Sequence, residues 1–174
     1  MSNKVKPDRF LTVQRIPKRN HKSFITAVVR FMDKPEEKFD TSMLEYPVKN
    51  DDSIDKFEKA NKLIINIYRL ENYNIKACRI SPVLKKYYEN LITSLDESKK
   101  ILSEKRFKTL QRKLFKNRCI INLLDQETHY NLIHSHYLTC YMCFYDNSSE
   151  DEIIEHIRCC DKTPNLRIYY RSYL

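Results

Sequence analysis

Four residues near the C-terminal end have types and spacing that suit a metal ion. Two residues separate Cys140 from Cys143, twelve more lead to His156, and three more precede Cys160. A two-residue gap lets one tight turn aim two thiolates at a single point, and ligands four positions apart share one face of a helix. The spacing predicts one structural zinc ion in closed tetrahedral coordination. Ordinary buried thiols are the alternative, because cysteine is among the most readily buried residues.

A helix carrying the last two ligands is predicted independently, because Ser149 and Glu152 form a capping box. With this helix after the cysteine pair, residues 137–161 resemble the C2H2 and C2HC zinc fingers, which are ββα units around one structural zinc. The resemblance implies that Ile153 packs inward. It also implies that the fourth ligand is the second of two adjacent cysteines, with Cys159 as the substitute.

The other histidines and cysteines leave further alternatives open. His134 and His136 lie just before the cysteine pair, and either could join the metal site. His129 is predicted to be exposed. Cys78 and Cys119 are predicted to be ordinary core thiols.

The chain of 174 residues contains no glycine, which excludes several kinds of site. A P-loop, a dinucleotide-binding turn and a nucleophile elbow all need glycine where the backbone approaches a phosphate or turns at positive φ. No spacing places a nucleophile beside a base, so no catalytic residue and no enzymatic activity is predicted. Asparagine is the expected substitute at left-handed turns. The candidates are Asn50, Asn74, Asn117 and Asn165.

Composition predicts a soluble globular protein rather than a disordered one, with 41% hydrophobic and 32% charged residues. No apolar run reaches the roughly 18 to 20 residues that span a bilayer, and the first residues show no signal-peptide pattern. No membrane partner is therefore expected. The many Ile, Asn, Lys and Tyr residues, without any Gly or Trp, indicate an AT-rich genome such as that of a virus or a parasite.

The formal net charge of +9 is unevenly distributed. Residues 97–118 carry nine basic and two acidic side chains, and a helix there would place a positive stripe outside its core contact. Such a stripe neutralises nucleic-acid phosphates without sequence preference, although a solvated face without a ligand is the alternative. The predicted contacts are Lys99, Lys100, Lys105, Arg106, Lys108, Arg112, Lys113, Lys116 and Arg118. In the N-terminal arm, Lys18, Arg19 and Lys22 could add a second contact or form a nuclear localisation signal.

The zinc module itself is not predicted to read DNA. Its helix would present Glu150, Asp151, Glu152 and Glu155 to phosphates of like charge. The module therefore folds the C-terminus or offers a surface to a protein. In the second case the chain is an interaction adaptor, in which the acidic module and an aromatic tail dock a partner or a second copy of the chain. The tail residues are Tyr169, Tyr170 and Tyr173.

Apolar periodicity predicts a mainly α fold with a small C-terminal ββα-like zinc module. Ser53 is the predicted cap of a first helix. The inward stripe of that helix is Ile54, Phe57, Ile64, Ile67 and Tyr68. The pair Ser81 and Pro82 predicts the start of a second helix, Asp96 is the predicted cap of a third, and residues 119–136 are predicted as a fourth.

The predicted regions are a basic arm and loop over 1–50, a helical domain over 51–136, and the zinc module with its tail over 137–174. Within them, residues 23–32 suit either a strand or a short buried helix, and residues 33–52 suit a loop. The final ten residues alternate like a short strand.

These features together predict a zinc-binding regulatory protein associated with nucleic acid, such as a transcription or replication accessory factor. It would hold one zinc ion, contact nucleic acid or an acidic protein through its basic helix, and act in the nucleus or the cytoplasm.

Overall fold

The structure is a computed structural model that describes residues 9–71, 74–86, 89, 119–134 and 166–171. The described residues are built around one mixed six-stranded sheet, with two α-helices on one of its faces. The predicted mainly α fold is therefore wrong. The third predicted helix, the basic residues 99–118 and the zinc module lie outside the described residues.

The strands come from distant parts of the chain. The elements in chain order are β1 (Arg9–Gln14), α1 (Ser23–Met32), a 3-10 turn (Glu36–Lys38), α2 (Asp52–Asn61), β2 (Leu63–Glu71), β3 (Asn74–Arg79), β4 (Cys119–Gln126), β5 (His129–His134) and β6 (Leu166–Arg171). The sheet order is β3-β2-β4-β5-β1-β6. The pairs β2/β4 and β1/β6 are parallel, and the other three pairs are antiparallel. The sheet thus joins the predicted N-terminal arm to the predicted C-terminal tail.

The first predicted helix is half right. α2 begins near the predicted residue, but its cap is Asp51, whose side chain accepts a hydrogen bond from the backbone N–H of Ser53. The helix ends at Asn61, and Lys62 follows in the left-handed conformation at φ 52°. Six consecutive residues of β2, 63–68, are then buried. Burial at every position marks a central strand covered on both faces. Ile54 and Phe57 of the predicted stripe are therefore buried in α2 as expected, whereas Ile64, Ile67 and Tyr68 belong to β2 instead.

The fourth predicted helix is wrong as well, because residues 119–134 form the hairpin of β4 and β5. Glu127 and Thr128 connect the strands with φ of 56° and 63°. Positive φ at both central residues is the geometry of a two-residue type I′ hairpin turn, which usually has the sequence Asn-Gly. The sequence carries no such signal here.

Residues 23–32, which suited a strand or a helix, form α1. The ring of Phe24 meets those of Phe57 and Tyr130 edge-on, at centroid distances of 5.5 and 5.4 Å. These contacts pack α1 and α2 on one face of the sheet. A smaller apolar cluster covers the other face and includes Leu84, in the helical residues 82–86. The predicted helix start at Pro82, the loop after α1 and the C-terminal strand β6 are confirmed.

Left-handed backbone occurs at positions other than the predicted asparagines. The described residues with positive φ are Asn20, His21, Asp33, Lys62, Glu127 and Thr128. Asn50 and Asn74 are not among them, so the prediction is wrong at both described candidates. Within the residues that the structure describes, no helix has the length and apolar character to cross a membrane.

Candidate functional site

The predicted zinc ligands and the predicted phosphate contacts all lie outside the described residues. The ligands Cys140, Cys143, His156 and Cys160 fall in the connection between β5 and β6. The nine basic side chains of residues 99–118 fall in the connection that ends at β4. Among the residues that the structure does describe, no three His, Cys, Asp or Glu side chains are grouped to hold a metal ion.

Several alternative site residues are described. His134, weighed as a metal ligand, ends β5 with its Nε2 at 3.0 Å from Oε1 of Gln14. Cys78 is half-buried in β3, and burial raises the pKa of its thiol, which disfavours a reactive thiolate. Cys119 begins β4. His129 is half-buried rather than exposed as predicted.

The connection from β1 to α1, residues 15–22, is rich in basic residues, and we call it the basic loop. Arg15, Lys18 and Arg19 are exposed in it, and His21 is exposed beside them. Residues 9–32 contain six basic residues and no acidic one. The basic loop therefore concentrates positive charge at one end of α1.

Two hydrogen bonds hold the ends of the basic loop against β5. The backbone N–H of Ile16 donates to Oδ1 of Asn131 at 2.8 Å. The backbone N–H of Tyr130 donates to Oγ of Ser23 at 2.9 Å. Because Tyr130 and Asn131 are consecutive, both ends of the loop are fixed at nearly one point. Such closed surface loops are compact and often functional.

The anchors themselves are well buried. Ile16 is fully buried, and Ser23 is 3% exposed. Nδ2 of Asn131 donates to Oε1 of Gln126 at 2.7 Å, so both ends of this amide are bonded. A buried amide with both ends satisfied fixes one orientation, which makes Asn131 a rigid support for the loop.

A tight turn shapes the tip of the basic loop. The backbone N–H of Lys22 donates to the carbonyl of Arg19 at 3.1 Å. Asn20 and His21, between them, have φ of 53° and 54°. This is again a type I′-like turn, here built without glycine. Consecutive left-handed residues that are not glycine are uncommon and cost free energy, so the surrounding contacts must hold them in place.

The serine and histidine near this loop do not form a nucleophile and base pair. Oγ of Ser23 is bonded to the amide of Tyr130, and the side chain of His129 interacts with Asn131. Burial, followed by the positive charge of Lys18, lowers the pKa of His129. The hydrogen bond between Ser23 and Tyr130 holds α1 against β5, and neither side chain is placed to attack a substrate.

A second polar cluster lies under α2. Glu58 is 5% exposed, and its carboxylate accepts from Arg79, from the hydroxyl of Ser81 at 2.6 Å and from the amide of Ile65 at 3.2 Å. Arg79 also donates to Asp55. Because each buried group has a partner, this cluster is a structural network that ties α2 to the sheet.

Sequence reasoning noted the charge of the N-terminal arm but missed its anchors, which join residues more than one hundred positions apart. Only the apolar residues of β5, which are buried in the fold, could have indicated that strand from the sequence. No family model, curated protein or solved structure matches this chain.

Proposed function

We propose that this protein holds one structural zinc ion and associates with nucleic acid as an accessory factor in transcription or replication. It acts through phosphate contacts rather than as an enzyme, and the nucleus is its proposed location. The observation that carries the proposal is the spacing in the sequence of a cysteine pair and, after the predicted capping box of Ser149 and Glu152, a histidine and a cysteine.

The proposed zinc ligands are Cys140, Cys143, His156 and Cys160. Their place in the chain suits a structural role, because the segment leaves the sheet at the end of β5 and returns to it at β6. β1 lies between these two strands, pairing with both. A zinc ion would fold an insertion whose two ends are already fixed, which lowers the entropy lost on ordering it.

The proposed nucleic-acid contacts lie in residues 99–118, whose basic side chains outnumber the acidic ones. Phosphate neutralisation by such a segment gives binding with little sequence preference and strong dependence on salt. The basic loop supports the proposal, because it adds exposed positive charge in the described part of the chain.

The test measures binding of the full-length protein to a labelled random-sequence DNA duplex at increasing salt concentration, with fluorescence anisotropy as the readout. If six or more phosphates are contacted, affinity should fall by roughly a thousandfold or more between 50 and 200 mM salt. Charge reversal in Arg112→Glu/Lys113→Glu should lower the salt slope by about 2. The matched control is Lys34→Glu/Lys38→Glu, two exposed lysines near α1 that should leave the slope unchanged.

The second candidate is the interaction adaptor, and one observation favours it. Tyr169 and Tyr170 of its docking tail lie in β6, the last strand in the order of the described sheet. A strand edge can pair with another chain. The adaptor is supported instead if DNA binding at about 0.15 M salt is absent and the protein self-associates or captures a protein partner.

A further inference from the structure

We propose that the basic loop is a preorganised phosphate contact for a nucleic-acid backbone, made by Arg15, Lys18 and Arg19. This inference rests on the function proposed above and names a second surface for it, outside residues 99–118.

The basic loop is already ordered by its own contacts. Both of its ends are hydrogen-bonded to consecutive residues of β5, Tyr130 and Asn131, and its tip is closed by the turn from Arg19 to Lys22. A ligand that meets an ordered loop need not supply the entropy of ordering its backbone. The loop therefore presents its charges as a fixed surface.

The basic side chains near the loop tip differ in whether they pair with an acidic residue of the described chain. Nζ of Lys22 lies 3.5 Å from Oε1 of Glu36 and over the ring of Tyr46 at 5.1 Å. Lys22 is thus partly neutralised by its own chain. In the described residues no carboxylate forms such a pair with Lys18 or Arg19, so these two remain the outward charges of the loop tip.

No acidic residue lies close to the basic loop in the sequence. Between Asp8 and Asp33 there is no acidic residue, and Asp33 lies at the far end of α1. The positive end of the α1 dipole adds to the same potential. Because the first three residues of α1 are buried, we assign the contact to loop side chains and not to the helix amides.

Nucleic acid fits this surface better than a membrane or a protein. Insertion into a bilayer needs apolar side chains beside the charges. The exposed large apolar side chain among the described residues is Phe31, about 14 Å along α1 from Lys22. The core of a protein interface also needs apolar or aromatic contacts. Long basic side chains on a polar loop suit phosphate oxygens.

The test compares the salt dependence of three full-length proteins on the same random-sequence duplex. The test variant is Arg15→Gln/Lys18→Gln/Arg19→Gln. The matched control is Lys34→Gln/Lys38→Gln/Lys59→Gln, which changes the net charge equally at exposed sites elsewhere.

The inference predicts that the test variant lowers the slope of log affinity against log salt by about 2 to 3. At about 0.1 M salt, affinity should fall by roughly 100-fold or more. The control should stay within about threefold of the unmodified protein. Lys22→Gln alone should likewise change affinity by less than about threefold, since that charge is already paired.

The outcomes separate the two proposals. If the unmodified protein binds DNA and the test variant shows the same salt slope, the loop contact is refuted and the proposed function is not. Absence of DNA binding by the unmodified protein overturns both. Binding to vesicles containing about 30% phosphatidylserine, or to polyglutamate, with no binding to duplex or single-stranded DNA, also overturns the inference in favour of another anionic partner. Thermal melts of the two triple variants must match that of the unmodified protein, because their substituted side chains are exposed.

Discussion

Replacing Asn131 with alanine is the sharpest test of how the basic loop is held. The side chain of Asn131 accepts the backbone N–H of Ile16 and donates to Gln126. Ile16 is fully buried, so its amide would lose its partner without gaining water. Leaving a buried donor unpaired costs about 1 to 3 kcal/mol. Truncating a residue that is 4% exposed adds a small cavity, for a total of about 2 to 4 kcal/mol.

In a protein of this size, each kcal/mol shifts Tm by roughly 2 to 4 °C. Asn131→Ala should therefore lower Tm by about 5 to 15 °C in a thermal melt followed by circular dichroism. Hydrogen exchange should show the amide of Ile16 losing protection more than the amides of α2. The control is Asn50→Ala, an exposed asparagine whose loss should shift Tm by less than about 2 °C. An unchanged Tm together with an unchanged exchange rate at Ile16 would refute the anchor.

Three further predictions concern stability. Lys62 has φ of 52° at the end of α2, in the left-handed region that glycine adopts at lower cost. Lys62→Gly should therefore stabilise the fold by about 0.5 to 1 kcal/mol in urea denaturation. The control Lys59→Gly, within the helix, should destabilise the fold by about 1 kcal/mol. Arg79→Ala leaves the buried carboxylate of Glu58 without its positive partner, so it should lower the free energy of unfolding by about 3 to 5 kcal/mol in the same assay. A decrease below about 1 kcal/mol would contradict the network. Burial lowers the pKa of His129 below its ordinary 6.5, so this imidazole takes up a proton at a higher pH in the unfolded chain than in the folded protein. The free energy of unfolding should therefore fall as pH drops below about 6.5. His129→Gln should flatten that part of the pH profile, measured by urea midpoints.

The sequence predicts individual elements better than it predicts the fold. Pro82 starts a helix because its ring suits the first turn, and the final ten residues alternate in sequence as a short strand does, which matches β6. Leu63 to Tyr68 fit a helical stripe and a strand equally well, since nearly every position is apolar. Only the burial of both faces, by α1 and α2 on one side and by the cluster that includes Leu84 on the other, decides between them.

The absence of glycine removes the usual turn signals from this sequence. The hairpin turn at Glu127 and Thr128 and the loop turn at Asn20 and His21 both use positive φ without glycine. The pattern of apolar and polar residues therefore continues without a turn signal through the β4–β5 hairpin, and it resembles the pattern of one long helix. The anchors of the basic loop are equally hidden, because Ile16 and Asn131 meet only after the sheet has formed.

The central claim is that four residues between β5 and β6 hold one zinc ion, and native mass spectrometry tests it most directly. Freshly reduced full-length protein should carry one zinc per chain, lost on chelation. Cys140→Ser and Cys143→Ser should each abolish binding, whereas Cys78→Ser, on β3, should retain it. Metal-free protein after purification with zinc present, or full zinc occupancy in both ligand variants, would contradict the claim.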